Sequence, residues 1–235
     1  MTQFAAISDI HSNIVALTEV LKDIKLKGID KIVCAGDIVG YNPFPRETLS
    51  KILEICDPII KGNHDHAVSL NSPLKDDFGF TEIARIASNW TTKQLNQMER
   101  KRLYSLPTML EMPIDGKRIT MVHGGLEYPL DEYVYDNSEA QKNCIAFIEM
   151  FNLDILIMGH THIPYVRKID NRLLVNCGSV GQPRDGNPRA SYAIIDPETM
   201  SATIRRVKYD IEEVFKGIIK VGLPKGLADR LFVGK

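Results

Sequence analysis

The sequence predicts an α/β fold in which two mixed β-sheets form a sandwich flanked by helices. Three features of the 235-residue chain indicate this class. Over the first third, short apolar runs alternate with amphipathic segments, which is typical of βαβ units and a largely parallel sheet. The second half returns to closely spaced short strands, which favour antiparallel pairing. Polar residues cluster where the predicted strands end, the edge at which open α/β sheets bind ligands.

Three short apolar runs near the start of the chain are predicted to be buried strands, because each run is unbroken and stops at polar or glycine residues. They cover residues 4–8, 31–35 and 59–61. The helix after the first run takes its N-cap from Ser12 or Asn13 and stops at Gly28. The helix after the second run begins at Pro45, which suits a first helical turn.

Residues 73–106 are predicted to form a helical insertion that lies over or beside the strand ends. Further apolar runs predict strands over residues 119–122, 155–158, 165–168, 173–176, 190–195 and 202–207. A helix over 138–151 crosses between two of them. Because the chain contains no internal repeat and no Pro/Gly/Ser-rich linker, residues 1–235 are predicted to form a single domain.

Composition and charge exclude several classes of function. The net charge of −1 gives no sign of a surface for bulk nucleic acid, although a nucleotide remains possible as a small substrate. The four cysteines form no CxxC pair, so neither a disulfide framework nor a zinc knuckle is expected. No apolar run approaches the roughly 18 residues that span a bilayer, and no signal peptide is evident. The chain is therefore predicted to be cytoplasmic and to have no membrane partner; its oligomeric state is not predicted.

All six histidines lie within two residues of a predicted strand end or in the turn that follows, beside Asp, Asn or Gly. They are His11, His64, His66, His123, His160 and His162. A single buried histidine is usually a structural core residue. Six histidines at equivalent positions favour a shared chemical role instead.

Five short motifs combine these histidines with carboxylate, amide or glycine residues. They are Asp9-Ile10-His11, Gly36-Asp37, Gly62-Asn63-His64-Asp65, Val122-His123-Gly124 and Gly159-His160-Thr161-His162. Residues two apart in an extended segment point to the same side, so a carboxylate and an imidazole can hold one cation. Each motif alone is weak, since a strand-end Asp can cap a helix, an Asn or Asp can form an ordinary turn, and H-x-H occurs in unrelated zinc sites.

Together the motifs supply seven candidate metal ligands, namely four histidines, two aspartates and one asparagine. They are Asp9, His11, Asp37, Asn63, His123, His160 and His162. Seven ligands are too many for one tetrahedral structural zinc and suit two divalent cations that share a carboxylate. Nitrogen and oxygen donors without a thiolate favour Mn²⁺, Fe or Zn²⁺, with manganese preferred here.

The ordered motifs resemble those of the calcineurin-like metallophosphoesterase superfamily. The segments SDIHSNIVAL, GDIVGYNPFP and NCGSVGQPRDG resemble its small single-domain prokaryotic members of the phosphodiesterase type, and the likeness extends to about Asp196. Two departures are visible, because Ser12 stands where this family often has Gly and Cys177 where it often has Pro.

The resemblance implies the metallophosphoesterase fold and a role for each motif residue. One metal would be bound by Asp9, His11 and His162, the other by Asn63, His123 and His160, with Asp37 bridging both. His64 would be the proton donor or a phosphate-contacting imidazole, with Asp65 as its partner.

This site would hydrolyse phosphate esters. Two dications outweigh two carboxylates, so phosphate oxygens are attracted, and a water or hydroxide bridging the metals has its pKa lowered towards about 7 and becomes the nucleophile. Tyr41 and Arg184 are predicted substrate contacts. A phosphodiesterase or dinucleoside-polyphosphate hydrolase acting on a small phosphorylated substrate is favoured, because the chain is short. A serine/threonine-type protein phosphatase is the alternative. A non-catalytic scaffold of the same fold is disfavoured by the complete ligand set.

Overall fold

Two mixed β-sheets pack face to face in the computed structural model, which describes residues 3–70 and 80–235. The strands are β1 (Phe4–Ile7), β2 (Ile32–Cys34), β3 (Met109–Ile114), β4 (Lys117–Val122), β5 (Ile155–Met158), β6 (Tyr165–Ile169), β7 (Arg172–Asn176), β8 (Ala190–Asp196) and β9 (Ser201–Val207). The helices are α1 (Ile14–Leu26), α2 (Pro45–Ile55), α3 (Asn63–Ser69), α4 (Glu82–Gln94), α5 (Gln97–Ser105), α6 (Glu139–Met150), α7 (Ile211–Lys220) and α8 (Lys225–Asp229), and a 3₁₀ helix follows at Arg230–Phe232.

Both sheets mix parallel and antiparallel pairs, as predicted. The first sheet has the order β2-β1-β8-β9, in which β1 is parallel to β2 and antiparallel to β8. The second has the order β3-β4-β5-β7-β6, and its three central strands are parallel to one another. The carboxyl ends of β1, β2, β4 and β5 are followed by the residues that the motifs singled out.

The main core lies between the two sheets and accounts for the apolar sequences of the strands. Alternate residues of each central strand face inward, as the period of a strand requires. Phe4 and Ala6 of β1 meet Ile119 and Met121 of β4 in this layer, and Ile157 of β5 joins them. The opposite face of β1 packs on α1 and α2, and the outer face of the second sheet packs on α6. The result is a helix–sheet–sheet–helix arrangement.

A separate apolar cluster joins α4 to the C-terminal helices. Ala84 and Ala87 of α4 pack with Val214 of α7, Leu227 of α8 and Tyr41 of the loop after β2. These C-terminal helices were not predicted from the sequence. Their position matters for the site, because Tyr41 lies beside His11 and His64 of the motifs.

Several sequence-based boundaries are confirmed and others are corrected. Asn13 is the N-cap of α1, its side chain accepting the N–H of Ala16. The expected strand over 59–61 is reduced to one isolated bridge between Ile59 and Cys34, because the chain turns at once into α3. Strand β3 and helix α3 were missed. Of the helical segment expected over 73–106, α4 and α5 are present, and residues 73–79 lie outside the described residues.

Two expectations about the chain as a whole can be compared with the described residues. All four cysteines lie within the described residues, and each is buried and forms no disulfide there. Within residues 3–70 and 80–235, no helix combines the length and the apolar character that a membrane crossing requires.

Gly36 provides a test of how tightly the loops at the strand ends pack. A Cβ atom at Gly36 would lie 2.5 Å from the backbone nitrogen of Gly62, and its φ of +92° already disfavours other residues. We expect Gly36→Ala to lower the free energy of unfolding by about 3 kcal/mol or more, measured by urea denaturation.

Gly28→Ala is the matched control, because Gly28 has a φ of +69° but no atom within 4 Å of the added Cβ. It should cost only the left-handed strain, about 1–2 kcal/mol. Equal losses in the two variants would contradict the close packing of the two loops.

Candidate metal centre

The five motifs meet at one end of the sandwich, where loops after β1, β2, β4 and β5 converge. Residues separated by up to 151 positions come into hydrogen-bond contact there, as in the pair His11 and His162. The seven predicted metal ligands are all buried. The structure brings together six of the seven predicted ligands, and it buries the seventh, Asn63, at the first residue of α3.

Two carboxylates form the middle of this cluster. Asp9 is fully buried and Asp37 almost so. His162 Nε2 lies 3.2 Å from Asp9 Oδ1, and His123 Nε2 lies 3.3 Å from Asp37 Oδ2. His11 Nε2 lies between them, at 3.8 Å from the Asp9 carboxylate and 3.6 Å from the Asp37 carboxylate.

The ligand atoms fall into three overlapping groups, each with its atoms within 4.8 Å of one another. The groups are Asp9, His11 and His162; Asp37, His123 and His160; and His11, Asp37 and His64. The first two correspond to the two metal sites that the family resemblance implied, apart from Asn63. Asp37 belongs to the second group, and the third group links it to His11 of the first, so Asp37 lies next to both sets of ligands.

Four buried polar atoms of this cluster have no hydrogen-bond partner, which is the observation that best fits a cation. They are Asp9 Oδ1, Asn63 Oδ1, His123 Nε2 and His160 Nε2. Buried polar atoms are nearly always paired, so an exception needs an explanation. Oxygen and imidazole donors that converge without thiolates suit a divalent cation such as Mn²⁺, Fe²⁺ or Zn²⁺.

Backbone carbonyls orient three of the imidazoles. The Nδ1 atoms of His11, His123 and His162 contact carbonyl oxygens; for His123 the partner is Ala35 at 2.8 Å. In a neutral imidazole whose Nδ1–H donates to a carbonyl, Nε2 is deprotonated and free to bind a cation. This arrangement is typical of metal-binding histidines.

The loops that carry the ligands adopt backbone conformations that most residues avoid. Asp9, His11, Asp37, His160 and His162 all have φ between +47° and +65°. Such conformations persist only where surrounding contacts enforce them, and they concentrate at functional sites. Ser12, which departs from the glycine common in the family, also has a positive φ of 57°. The left-handed backbone explains why glycine is favoured there.

The electrostatics of the centre show how strongly the carboxylates attract positive charge. Burial acts to raise the pKa of Asp37, but the field of His123 and then of His64 holds it well below the usual range. Burial acts to lower the pKa of His123, but Asp37 raises it to about 10. His160, at a similar depth, has its pKa lowered to about 3 by burial and by the field of His123. The two carboxylates thus favour positive charge beside His123, which a bound cation would supply.

His64 lies at the first turn of α3, on the open side of the cluster. Its ring stacks against Phe80 at 4.5 Å between centroids and lies 4.5 Å from the ring of Tyr41. Its Nδ1 is 3.3 Å from Ser88 Oγ on α4. Burial lowers the pKa of His64 to about 4, despite the opposing field of Asp37. The imidazole is therefore neutral at physiological pH.

Asp65, predicted as the partner of the His64 ring, is directed towards backbone groups. Its carboxylate accepts the N–H groups of Ile38, Val39 and Gly62 at 3.0–3.1 Å. Burial and the field of Asp37 raise its pKa to about 7. Asp65 thus ties the loop after β2 to the start of α3, and it positions His64 through the backbone.

Tyr41 and Arg184, the predicted substrate contacts, lie together on the rim. The guanidinium carbon of Arg184 is 5.8 Å from the centroid of the Tyr41 ring. The Tyr41 ring in turn lies 4.7 Å from that of His11. Arg184 also donates its backbone N–H to the carbonyl of His162. Both side chains are therefore held beside the centre.

Sequence reasoning missed other residues at the centre, and it included one histidine that lies apart. Tyr133 stacks on the His160 ring with 4.0 Å between centroids, and Ser88 contacts His64. Neither belongs to a short motif, so only the folded structure could reveal them. His66, counted among the six histidines, is in none of the three groups.

Comparisons with known proteins agree with this geometry. The family model of the calcineurin-like phosphoesterase superfamily domain matches residues 2–200. An uncharacterized protein of Methanocaldococcus jannaschii is 39% identical over 251 aligned residues, which cover 100% of this chain and 99% of that protein. The crystal structure of a metallophosphoesterase from Sphaerobacter thermophilus matches with a TM-score of 0.83 at 36% identity, covering 100% of this chain and 99% of that one. The phosphodiesterase YfcE of Escherichia coli K12 is 26% identical over 207 residues, which cover 83% of this chain and 87% of that protein.

Metal binding can be tested by its effect on thermal stability. A cation that binds only the folded chain stabilises it by about 2.7 kcal/mol at 100 times its Kd, which raises the Tm of a chain this size by roughly 5–10 °C. We expect this shift when Mn²⁺ is added to chelator-treated protein, followed by differential scanning fluorimetry.

Asp37→Asn should remove most of the Mn²⁺-induced shift, because Asp37 belongs to two of the three groups. His66→Gln is the control and should keep the shift. Similar shifts in both variants would show that the cation binds elsewhere.

Proposed function

The chain belongs to the calcineurin-like phosphoesterase superfamily, whose members hydrolyse phosphate esters, and from this premise we propose that it is a phosphodiesterase or dinucleoside-polyphosphate hydrolase with two divalent metal ions. The resemblance inferred from the motifs is confirmed. The observation that best supports the proposal is the pair of ligand groups that contain Asp9 and Asp37, together with four buried polar atoms of the predicted ligands that have no hydrogen-bond partner.

We propose the ligand assignment that the family resemblance implied. Asp9, His11 and His162 would hold one ion, and Asn63, His123 and His160 the other, with Asp37 shared. Apart from Asn63 and the sharing of Asp37, these sets match the groups that the structure forms. Manganese is preferred because the donors are imidazole, carboxylate and amide groups without a thiolate. Bound divalent cations supply the positive charge that attracts phosphate oxygens and makes a neighbouring water nucleophilic.

His64 would act on the oxygen of the departing alcohol. Ser88 Oγ–H can donate to His64 Nδ1, and the neutral ring then carries its hydrogen on Nε2. That N–H can donate a hydrogen bond to a phosphate oxygen. To act as a proton donor, the ring would first have to be protonated, and the imidazolium would return to the neutral ring when its Nε2 proton passes to the leaving oxygen. Phe80 stacks on the ring and Tyr41 contacts it at a tilt of 47°, and together they hold its plane. Asp65 keeps α3, and with it His64, in place.

Arg184 and Tyr41 would bind the substrate beside the ions. The Arg184 guanidinium donates to Gln182 Oε1, a neutral acceptor, and no carboxylate of the described residues pairs with it. Its charge therefore remains available to a phosphate oxygen. The substrate would be a small phosphorylated molecule, with a nucleotide as one candidate. A cytoplasmic location also remains a prediction, supported by the four free cysteines.

Metal-dependent hydrolysis is the first test. We expect turnover of bis-p-nitrophenyl phosphate to require added Mn²⁺ or a similar ion and to stop with a chelator. Asp37→Asn should abolish turnover, because it removes the shared carboxylate, whereas His66→Gln should keep it. Near-wild-type turnover of Asp37→Asn at saturating metal would show that the bridging assignment is wrong.

A substrate panel distinguishes the proposed activity from a protein phosphatase. The panel comprises a phosphomonoester, a phosphodiester, diadenosine tetraphosphate and a phosphopeptide, compared by kcat/KM. Preference for the diester or the dinucleotide supports the proposal. Preference for the phosphopeptide favours the protein phosphatase.

The role of His64 can be resolved by varying the leaving group. If His64 donates a proton, His64→Gln should lower kcat about 10²- to 10⁴-fold for an alkyl phosphodiester, whose leaving group needs that proton. The loss should be much smaller for a p-nitrophenyl ester, whose leaving group departs unprotonated.

Ser88→Ala is the companion variant, because it leaves the imidazole in place and removes only the hydroxyl beside Nδ1. It should show the same dependence on leaving group but a smaller loss. If His64→Gln lowers kcat equally for both esters, His64 contacts the phosphate without donating a proton.

A further inference from the structure

We propose that Tyr133 and Tyr135 form a platform that binds the nucleobase of a nucleotide substrate. The platform rests on the proposed function, because it selects a substrate only if the metal centre holds the phosphoryl group. The two tyrosines belong to the loop between β4 and α6 and carry no motif.

The rings lead outward from the metal centre in a stack. The Tyr133 ring lies on the His160 ring, with 4.0 Å between centroids and 27° between planes. The Tyr135 ring follows at 5.9 Å from Tyr133 and is nearly parallel to it, at 6°. A substrate whose phosphoryl group lies among the ligands, His160 included, would therefore place its next ring-sized group beside these aromatic faces.

Both rings are open to solvent although the segment between them is anchored in the core. Tyr133 is 47% exposed and Tyr135 45%, whereas Val134 between them is 1% exposed. This alternation is that of an extended segment, so the two rings lie on the same side. Neighbouring exposed aromatic rings beside a polar centre are typical of a binding surface.

The platform is held rigidly before any ligand binds. Tyr165 Oη donates to the Val134 carbonyl at 2.9 Å. On one side, the Asp136 carboxylate accepts two hydrogen bonds from Arg167. On the other, Glu132 packs so closely on Gly125 that a Cβ there would overlap its carboxylate. Because the segment is already ordered, a base that stacks on it loses little free energy to loop ordering.

Arg184 supplies a positive charge near the aromatic rings, as a site that binds a nucleotide phosphate would need. Arg184 donates its backbone N–H to the carbonyl of His162, and its guanidinium carbon lies 5.8 Å from the centroid of the Tyr41 ring. An anion-binding guanidinium and a stacking face thus lie beside the same centre. A nucleotide presents the two complementary groups, a phosphate and a planar base, whereas a phosphorylated protein side chain lacks the base.

Binding of AMP and of ribose 5-phosphate to the Mn²⁺-loaded protein tests the platform by calorimetry. The two ligands share the phosphate and the sugar and differ only in the base. We expect AMP to bind about 5- to 100-fold more tightly, the factor that one base–aromatic stack contributes. Tyr135→Ala should bring the two Kd values close together, because its ring is remote from the metal ligands. Tyr133→Leu should do the same and keeps an apolar contact with His160.

Tyr128→Ala and Tyr135→Phe are the controls. Tyr128 belongs to the same loop and is 61% exposed, but the stacked pair comprises Tyr133 and Tyr135. Both controls should retain the preference for AMP. Equal Kd values in the wild type, or an unchanged preference in Tyr135→Ala, would overturn the platform. Failure of the platform can be distinguished from failure of the proposed function. If only the platform is wrong, the protein still hydrolyses bis-p-nitrophenyl phosphate; if the proposed function is wrong, it does not.

Discussion

The burial of two carboxylates, Asp9 and Asp37, is the constraint on which the rest of this structure depends. An ionised carboxylate taken out of water costs several kcal/mol unless charges or hydrogen-bond donors compensate for it. In the described part of the chain, the ion-pair partners of these two residues are histidines. Neutral histidines compensate only in part, so the cluster is completed by a positive charge, either a proton on His123 or bound cations.

The same carboxylates connect the two sheets. Asp9 follows β1 of the first sheet, and its Oδ2 accepts the N–H of His160, which follows β5 of the second. Asp37 Oδ1 accepts the N–H of His64 at 2.9 Å and so fixes the start of α3. These bonds hold loops whose backbones are left-handed, a conformation that costs of order 1–3 kcal/mol at each residue. The strain is tolerated because the packed sheets on either side fix both ends of each loop.

The clustering of these residues could be predicted from the sequence because each candidate ligand lies in a short motif at or just after an apolar run. Other features could not be predicted, because they depend on contacts between distant segments. Helix α3 begins within Gly62-Asn63-His64-Asp65, a sequence that by itself favours a turn. The helix forms there because the Asp65 carboxylate accepts the N–H of Gly62 and caps its first turn. Strand β3 contains Pro113 and is largely exposed, so its apolar pattern is weak. Tyr133 can be recognised as part of the site only from its stacking on His160, which lies 27 residues away in the sequence.

The rim of the site depends on a different part of the chain from the centre. All seven predicted ligands precede residue 200, where the family match ends. Tyr41, however, packs with Val214, Leu227 and other residues of the C-terminal helices, and Gly186 donates its N–H to the carbonyl of Gly234, which holds the loop that carries Arg184. The C-terminal segment thus supports the two predicted substrate contacts without contributing a ligand. Substitutions in the C-terminal segment can therefore change which ester binds beside Tyr41 and Arg184. Such substitutions leave Asp9 and Asp37 buried, and with them the chemistry of the centre is preserved.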